Sequence, residues 1–142
     1  MPTSPLSLVL STLPGRYAVC RLPPAAAVPA WAEGGTFFNA TRTREELSIV
    51  CEEAAVPAGV KAETGWAVLY LHGPIPFGTA GVLASLTAPL AEARIPVFAL
   101  STFDTDYLLV KAESLVEAVS TLRAAGFDVT MGSEETPSLP SV

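Results

Sequence analysis

Between Trp66 and Thr130, short apolar runs alternate with two amphipathic helical stripes, and this pattern limits the fold of the 142-residue chain more than any other feature. Residues 66–71 read as a strand that runs into the turn-rich segment Gly73-Pro74-Ile75-Pro76-Phe77-Gly78. From about Ala80 to Ala93, the apolar residues Val82, Leu83, Leu86, Leu90 and Ala93 recur at helical spacing, with Pro89 removing one backbone donor and bending the helix. Residues 97–100 and 107–110 flank the polar run Ser101-Thr102-Phe103-Asp104-Thr105-Asp106 as two adjacent strands would. A second helix is punctuated at both ends. Ser114 and Glu117 have capping-box spacing, Leu115, Val116, Val119 and Leu122 form one stripe, and Gly126 stands at the C′ position. Residues 127–130 alternate as a closing strand. The order β-α-β-β-α-β is the split βαβ, ferredoxin-like pattern of an α+β fold, with both helices on one sheet face.

The first half carries a fainter copy, visible at a shift of 60 positions. Phe38, Ile49 and Val50 then fall on Phe98, Leu109 and Val110, while Pro29, Thr41 and Glu46 fall on Pro89, Ser101 and Asp106. Nothing between Cys51 and Trp66 resembles a full second helix, so the N-terminal module is truncated or altered. Residues 6–10 with 17–22 suggest an extra hairpin. The expected organisation is an N-terminal module over residues 1–63, a C-terminal module over 64–131, and a Ser-, Pro- and Glu-rich disordered tail over 132–142.

Composition excludes several function classes. Net charge is −6 and the sequence pI about 4.6, so the summed field repels phosphate backbones and nucleic acid is not an expected partner. Hydrophobic residues make up 50% and charged residues 15%, more apolar than a soluble monomer of this size requires, which points to a partner subunit. Pro, Gly or polar residues interrupt every apolar run before the roughly 18 residues of a membrane span. No Lys or Arg precedes the first apolar run, so a secretory signal is not expected and the location reads as cytoplasmic. Cys20 and Cys51 sit among apolar neighbours, without Cys-x-x-Cys or a histidine cluster, as reduced core residues do.

A search for catalytic machinery finds little. The single histidine, His72, ends a strand and reads as a surface or capping residue, and the phosphate-loop, dinucleotide-turn and nucleophile-elbow motifs are missing. Asp104 and Asp106 are too few carboxylates for a divalent metal, and Asp104 reads as a solvated bend residue. Neither a catalytic residue, a metal nor a cofactor is expected. Asp106 differs from Asp104, because it directly precedes a strand close to Thr102 and Thr105 and can present a carboxylate to an ammonium group. The loop Phe77-Gly78-Thr79-Ala80-Gly81 delivers the chain into a helix start, whose free N–H groups suit a carboxylate. Together the two features describe a pocket for a free α-amino acid.

At these residues the sequence resembles the ACT-domain proteins, and more closely the tandem-ACT branch that includes the CASTOR arginine sensors of animals and small bacterial ACT proteins. The resemblance is carried by Gly78-Thr79-Ala80-Gly81-Val82-Leu83, Ala88-Pro89-Leu90-Ala91-Glu92-Ala93 and the run from Ser101 to Val110, with Phe37-Phe38-Asn39-Ala40-Thr41-Arg42-Thr43 and Leu47-Ser48-Ile49-Val50 in the first half. It implies two ACT modules and an amino acid held at an ACT-module interface. Thr79, Ala80, Gly81, Val82 and Leu83 would line the ligand backbone, with Thr102, Phe103 and Asp106 closing the other side. Arginine recognition in the family uses an acidic residue in the first loop, where this chain has Thr79. The chain is about half the length of the four-module animal sensors, so the resemblance implies a homodimer. The expected function is a non-enzymatic amino-acid sensor that regulates another protein. Its rivals are an enzyme subunit related to the regulatory part of amino-acid kinases, and a structural interaction module with a vestigial pocket.

Overall fold

The computed structural model describes residues 8–76 and 79–132. Leu6, the Phe77-Gly78 part of the loop and the tail beyond Gly132 lie outside them. The chain divides into two compact units, Gly15–Trp66 and a discontinuous one of Met1–Pro14 with Ala67–Val142. The second contains β1 (Val9–Thr12), the end of β5 (Lys61–Leu71), α2 (Val82–Glu92), β6 (Phe98–Ser101), β7 (Asp106–Lys111), α3 (Leu115–Ala124) and β8 (Asp128–Thr130). The first contains β2 (Tyr17–Leu22), α1 (Ala30–Glu33), β3 (Asn39–Arg42), β4 (Leu47–Glu52) and the start of β5. The mixed α+β class and the β-α-β-β-α-β order of the second half are as the sequence reads.

In the unit of Ala67–Val142 the strands lie in the order β8-β1-β5-β7-β6. Leu69 and Leu71 of β5, Leu108 and Val110 of β7, Leu10 of β1 and Val129 of β8 share one cluster with Leu86 and Leu90 of α2 and Ala118, Val119 and Leu122 of α3. Both helices therefore cover the same sheet face. Each of these leucines, removed from water, contributes roughly 1.5–3 kcal/mol. Arg123 ties the end of α3 to β8, donating from Nη2 to the Val129 carbonyl at 2.6 Å.

The Gly15–Trp66 unit pairs β3 with β4, β4 with β2, and β2 with residues 61–66, all antiparallel. Its core is smaller: Ala18, Cys20, Ala32, Leu47, Ile49 and Cys51, with Trp31 and Phe38 packed against it. Between β4 and β5 stands only a 3-10 turn, Glu53–Ala55, where the other unit has α3.

Three expectations change. The first strand does not form a hairpin with residues 17–22. Leu10 pairs with Leu71 and Val9 with Asp128, so β1 belongs with the later elements and not to a module ending at residue 63, because its inward Leu10 finds its apolar partners there. Ser114 makes no capping bond. The 3-10 turn Ala112–Ser114 leads directly into α3, leaving Ser114 at φ −99°, ψ 2° instead of the extended conformation a cap needs. The internal repeat has an offset of 59, not 60. Asn39↔Val50 and Arg42↔Leu47 correspond to Phe98↔Leu109 and Ser101↔Asp106, and a shift of one residue would turn every side chain to the opposite face.

Candidate functional site

The turn that joins β6 to β7 is built by two threonines. The Thr102 N–H donates to the Thr105 carbonyl at 2.8 Å, and the Thr105 N–H donates to Thr102 Oγ1 at 3.2 Å. Hydroxyl side chains that mimic a backbone turn in this way fix its shape locally. Two longer-range bonds then hold the turn against the end of β5 and the loop that follows it. Ile75 N–H donates to the Asp104 carbonyl at 2.7 Å, and Thr105 Oγ1 donates to the Leu71 carbonyl at 2.7 Å.

On the facing side, α2 starts two residues later than Ala80. Gly81 is its N-cap, at φ 81°, ψ 1°, and the first helical bond runs from Ser85 N–H to the Gly81 carbonyl. An ideal Cβ on Gly81 would meet nothing within 4 Å, so only the left-handed backbone demands glycine, at a cost of about 1–2 kcal/mol for other residues. The N–H groups of Val82, Leu83 and Ala84 have no acceptor within the helix, which makes this end attractive to an anion.

Between these walls lies a cleft of about 270 Å³, lined by Ile75, Pro76, Thr79, Gly81, Val82 and Leu83 on one side and by Ser101, Thr102, Phe103, Asp104, Thr105 and Asp106 on the other. Pockets for small ligands start near this size, at roughly 300 Å³. Among the described residues the charged side chains of the lining are Asp104 and Asp106, with no Lys or Arg. Asp106 is half-buried, and its Oδ1 accepts a 2.6 Å bond from the Ser101 hydroxyl. Phe103 stands 80% exposed at the tip of the turn. Val82 and Leu83 are partly buried against the helix-covered core as well, so that wall rests on the core of the unit.

Of the residues singled out from the sequence, Thr79, Gly81, Val82, Leu83, Thr102, Phe103 and Asp106 are brought together here. Ala80 is exposed and is not part of the lining. Ile75, Pro76, Ser101, Asp104 and Thr105 are added. His72 lies apart from the cleft lining, exposed, with Nε2 2.7 Å from Ser11 Oγ and its ring stacked on Tyr70. Next to Tyr70 stands Tyr107, whose phenol is pushed up by burial, then by Tyr70 and Asp104. Cys20 and Cys51 are free and buried in the other unit, and burial, followed by the neighbouring Cys20, pushes the Cys51 thiol up to about 12. Among the described residues no three His, Cys, Asp or Glu side chains are grouped to hold a metal ion, and no helix is long and apolar enough to cross a membrane.

Both stretches of the chain are similar to known proteins. A family model described as the ACT domain matches residues 61–124, and a second model, of an N-terminal domain, matches residues 15–59. The cytosolic arginine sensor for mTORC1 subunit 1 of Bos taurus is 32% identical over 114 residues, 71% of this chain and 34% of that protein. Its human counterpart is 34% identical over the same shares. The chain thus spans about a third of the length of these curated relatives, at 34%. A crystal structure of a protein from Agrobacterium tumefaciens, 38% identical, superposes with a TM-score of 0.84 over 89% of this chain and 95% of that one. Aspartate kinase from Clostridium acetobutylicum, at 13% identity, shares the fold over 83% of this chain and 34% of its own, with a TM-score of 0.61.

Proposed function

The chain belongs to the ACT-domain family, and from that premise we propose that it is a non-catalytic sensor whose cleft holds a free α-amino acid. The observation that carries this reading is the pairing of opposite charges across the cleft. The N-terminus of α2 supplies free N–H groups on one wall, and Asp106 supplies a carboxylate on the other. A zwitterion laid between them places its carboxylate at Val82 and Leu83 and its ammonium at Asp106, with Thr79 and Thr102 lining the rest and Phe103 closing the rim. The apolar side chains of Ile75, Val82 and Leu83 leave one wall for the ligand's own side chain.

Similarity to proteins named as arginine sensors makes arginine one ligand to test, while Thr79, in place of an acidic residue, weighs against it. The wider role we propose is a regulator, cytosolic as the relatives' name has it, that acts on another protein when its ligand binds and that is homodimeric. The exposed Phe103 and Val116, 80% and 74% accessible, support a subunit contact. Light scattering that returns only the 14.8 kDa monomer at micromolar concentration removes the dimer.

A thermal-shift screen against the twenty common L-amino acids tests the central reading. A ligand present at about 100 times its Kd stabilises the folded chain by roughly 2.7 kcal/mol, enough to move the melting temperature by several degrees. At least one amino acid should do so. If every one leaves the melting temperature unchanged, the sensor reading fails and the vestigial-pocket alternative takes its place.

A further inference from the structure

We propose that Ser101 is a positioning residue of the cleft: its hydroxyl holds the Asp106 carboxylate by Oδ1 and leaves Oδ2 for the cationic nitrogen of the ligand. This rests on the amino-acid-binding reading above. Ser101 and Asp106 are directly opposed at the last pair of the β6–β7 hairpin, and Ser101 Oγ donates to Asp106 Oδ1 at 2.6 Å. That length is in the range of a hydroxyl bound to an ionised carboxylate. Because the bond is exposed to water, it orients the carboxylate while contributing little to folding. A carboxylate fixed in one orientation before binding loses less conformational freedom when a ligand docks.

The other unit shows that the hairpin itself does not need this pair. At the matching positions, 59 residues earlier, Arg42 opposes Leu47. The turn between them still closes by the same bonds, Thr43 N–H to the Glu46 carbonyl at 2.9 Å and Glu46 N–H to Thr43 Oγ1 at 3.2 Å. The same register and turn form without a serine–aspartate bond. Its presence in the hairpin that lines the cleft, and not in its counterpart, assigns it to the site and not to the strand pairing.

The test uses the full chain, with Ser101→Ala, Ser101→Thr and Asp106→Asn. The probes are the twenty L-amino acids and, for each one that raises the melting temperature, the matching carboxylic acid without the α-amino group. Ser101→Ala should keep the ligand-free melting temperature and weaken amino-acid binding by roughly threefold to tenfold, the value of about one hydrogen bond. Ser101→Thr should restore binding to within about twofold of wild type, since its hydroxyl can make the same bond. For the des-amino acid, Ser101→Ala should make no difference. If Asp106→Asn abolishes binding while Ser101→Ala binds as wild type, the positioning role is wrong and the site stands. Equal weakening of both probes, or a lower ligand-free melting temperature, makes Ser101 merely structural and also overturns the proposal. If no amino acid binds, the sensor reading falls, and the role of Ser101 falls with it.

Discussion

The hairpins β3–β4 and β6–β7 share one register, one turn and one following 3-10 turn at an offset of 59 residues, yet they end in different chemistry. In the Ala67–Val142 unit, the carbonyl at the turn, Asp104, accepts from the Ile75 backbone, and the flanking side chains leave a cleft. In the Gly15–Trp66 unit, the equivalent carbonyl, Glu45, accepts from the Arg21 guanidinium at 2.9 Å, and Arg42, at the position of Ser101, donates to the Pro24 carbonyl. Arginine side chains bridge the loop to the turn there. The helix also differs. Residues 30–33 form a single turn where α2 has eleven residues, too short to offer an anion site at its start. The same backbone plan thus frames a cleft where a full helix and an acid meet. In the Gly15–Trp66 unit the same positions hold arginine side chains bonded to backbone carbonyls.

The core should show the largest contrast. Leu108 and Ile49 occupy equivalent, fully buried positions, but Leu108 lies in a cluster covered by two helices and Ile49 in one that has only α1. Leu108→Ala and Ile49→Ala should each cost about 2–5 kcal/mol, with Leu108 the more expensive because it loses packing in the larger cluster and a site held between two helices and the sheet collapses less readily. Denaturant melts of both variants measure it. A larger loss at Ile49 would break the ranking of the two units.

Asp106→Asn comes next. It keeps the shape and removes the charge, so amino-acid affinity should fall tenfold or more, equivalent to about 1.5–3 kcal/mol, while the ligand-free stability stays near wild type. Calorimetric titration of both proteins measures this. Unchanged affinity in a folded variant would reduce Asp106 to a solvated bend residue, no more functional than Leu47 at the same place in the other unit.

Much of this was legible beforehand, and the misses have physical causes. The stripe from Val82 to Leu90 and the hydroxyl-rich run from Ser101 to Asp106 located the helix, the hairpin and most of the cleft. The sequence pattern puts the repeat offset one residue off because Ile49, Val50 and Cys51, like Leu108, Leu109 and Val110, are buried on both faces of their strands. Strands apolar on both sides have no alternation to fix the register. Only the paired turn bonds of Thr43 and Thr102 do so. The partners of β1 lie about 60 and 120 residues further on, so nearness in sequence to residues 17–22 misled. Ile75 entered the cleft through a bond to Asp104, a contact that no local pattern encodes.

A smaller effect separates Gly35 from Arg94, which are equivalent at the same offset and both have positive φ, 94° and 64°. A side chain on Gly35 would run into the Glu52 carboxylate, which accepts from Thr36 N–H at 3.0 Å. Gly35→Ala should cost roughly 1–3 kcal/mol through that clash and the left-handed backbone. Arg94→Gly should gain up to about 1 kcal/mol, because only the backbone penalty is relieved. Thermal melts of the two variants, moving in opposite directions, would support the equivalence. A stabilised Gly35→Ala would contradict it.

The smallest effect at neutral pH belongs to Tyr17, and it grows with alkalinity. Tyr17 is fully buried in the Gly15–Trp66 unit, its hydroxyl has no hydrogen-bond partner, and its ring meets the edge of Phe37 at 6.0 Å. Removing that orphaned hydroxyl by Tyr17→Phe should stabilise the protein by about 1 kcal/mol or less at pH 7. Burial, then the nearby Glu52 charge, pushes the phenol from 10.0 up to about 12. Because the folded value lies above the unfolded one, this group's share of stability is complete below pH 10 and is lost as pH climbs from 10 towards 12. Cys51, raised from 9.0 to about 12, acts in the same direction from pH 9 upwards. Tyr17→Phe should therefore lose less stability than wild type above pH 10, with the slope due to Cys51 remaining. Denaturant melts of both proteins between pH 7 and 11 follow this difference, and parallel curves throughout would mean that Tyr17 ionises as freely in the folded unit as in the unfolded chain.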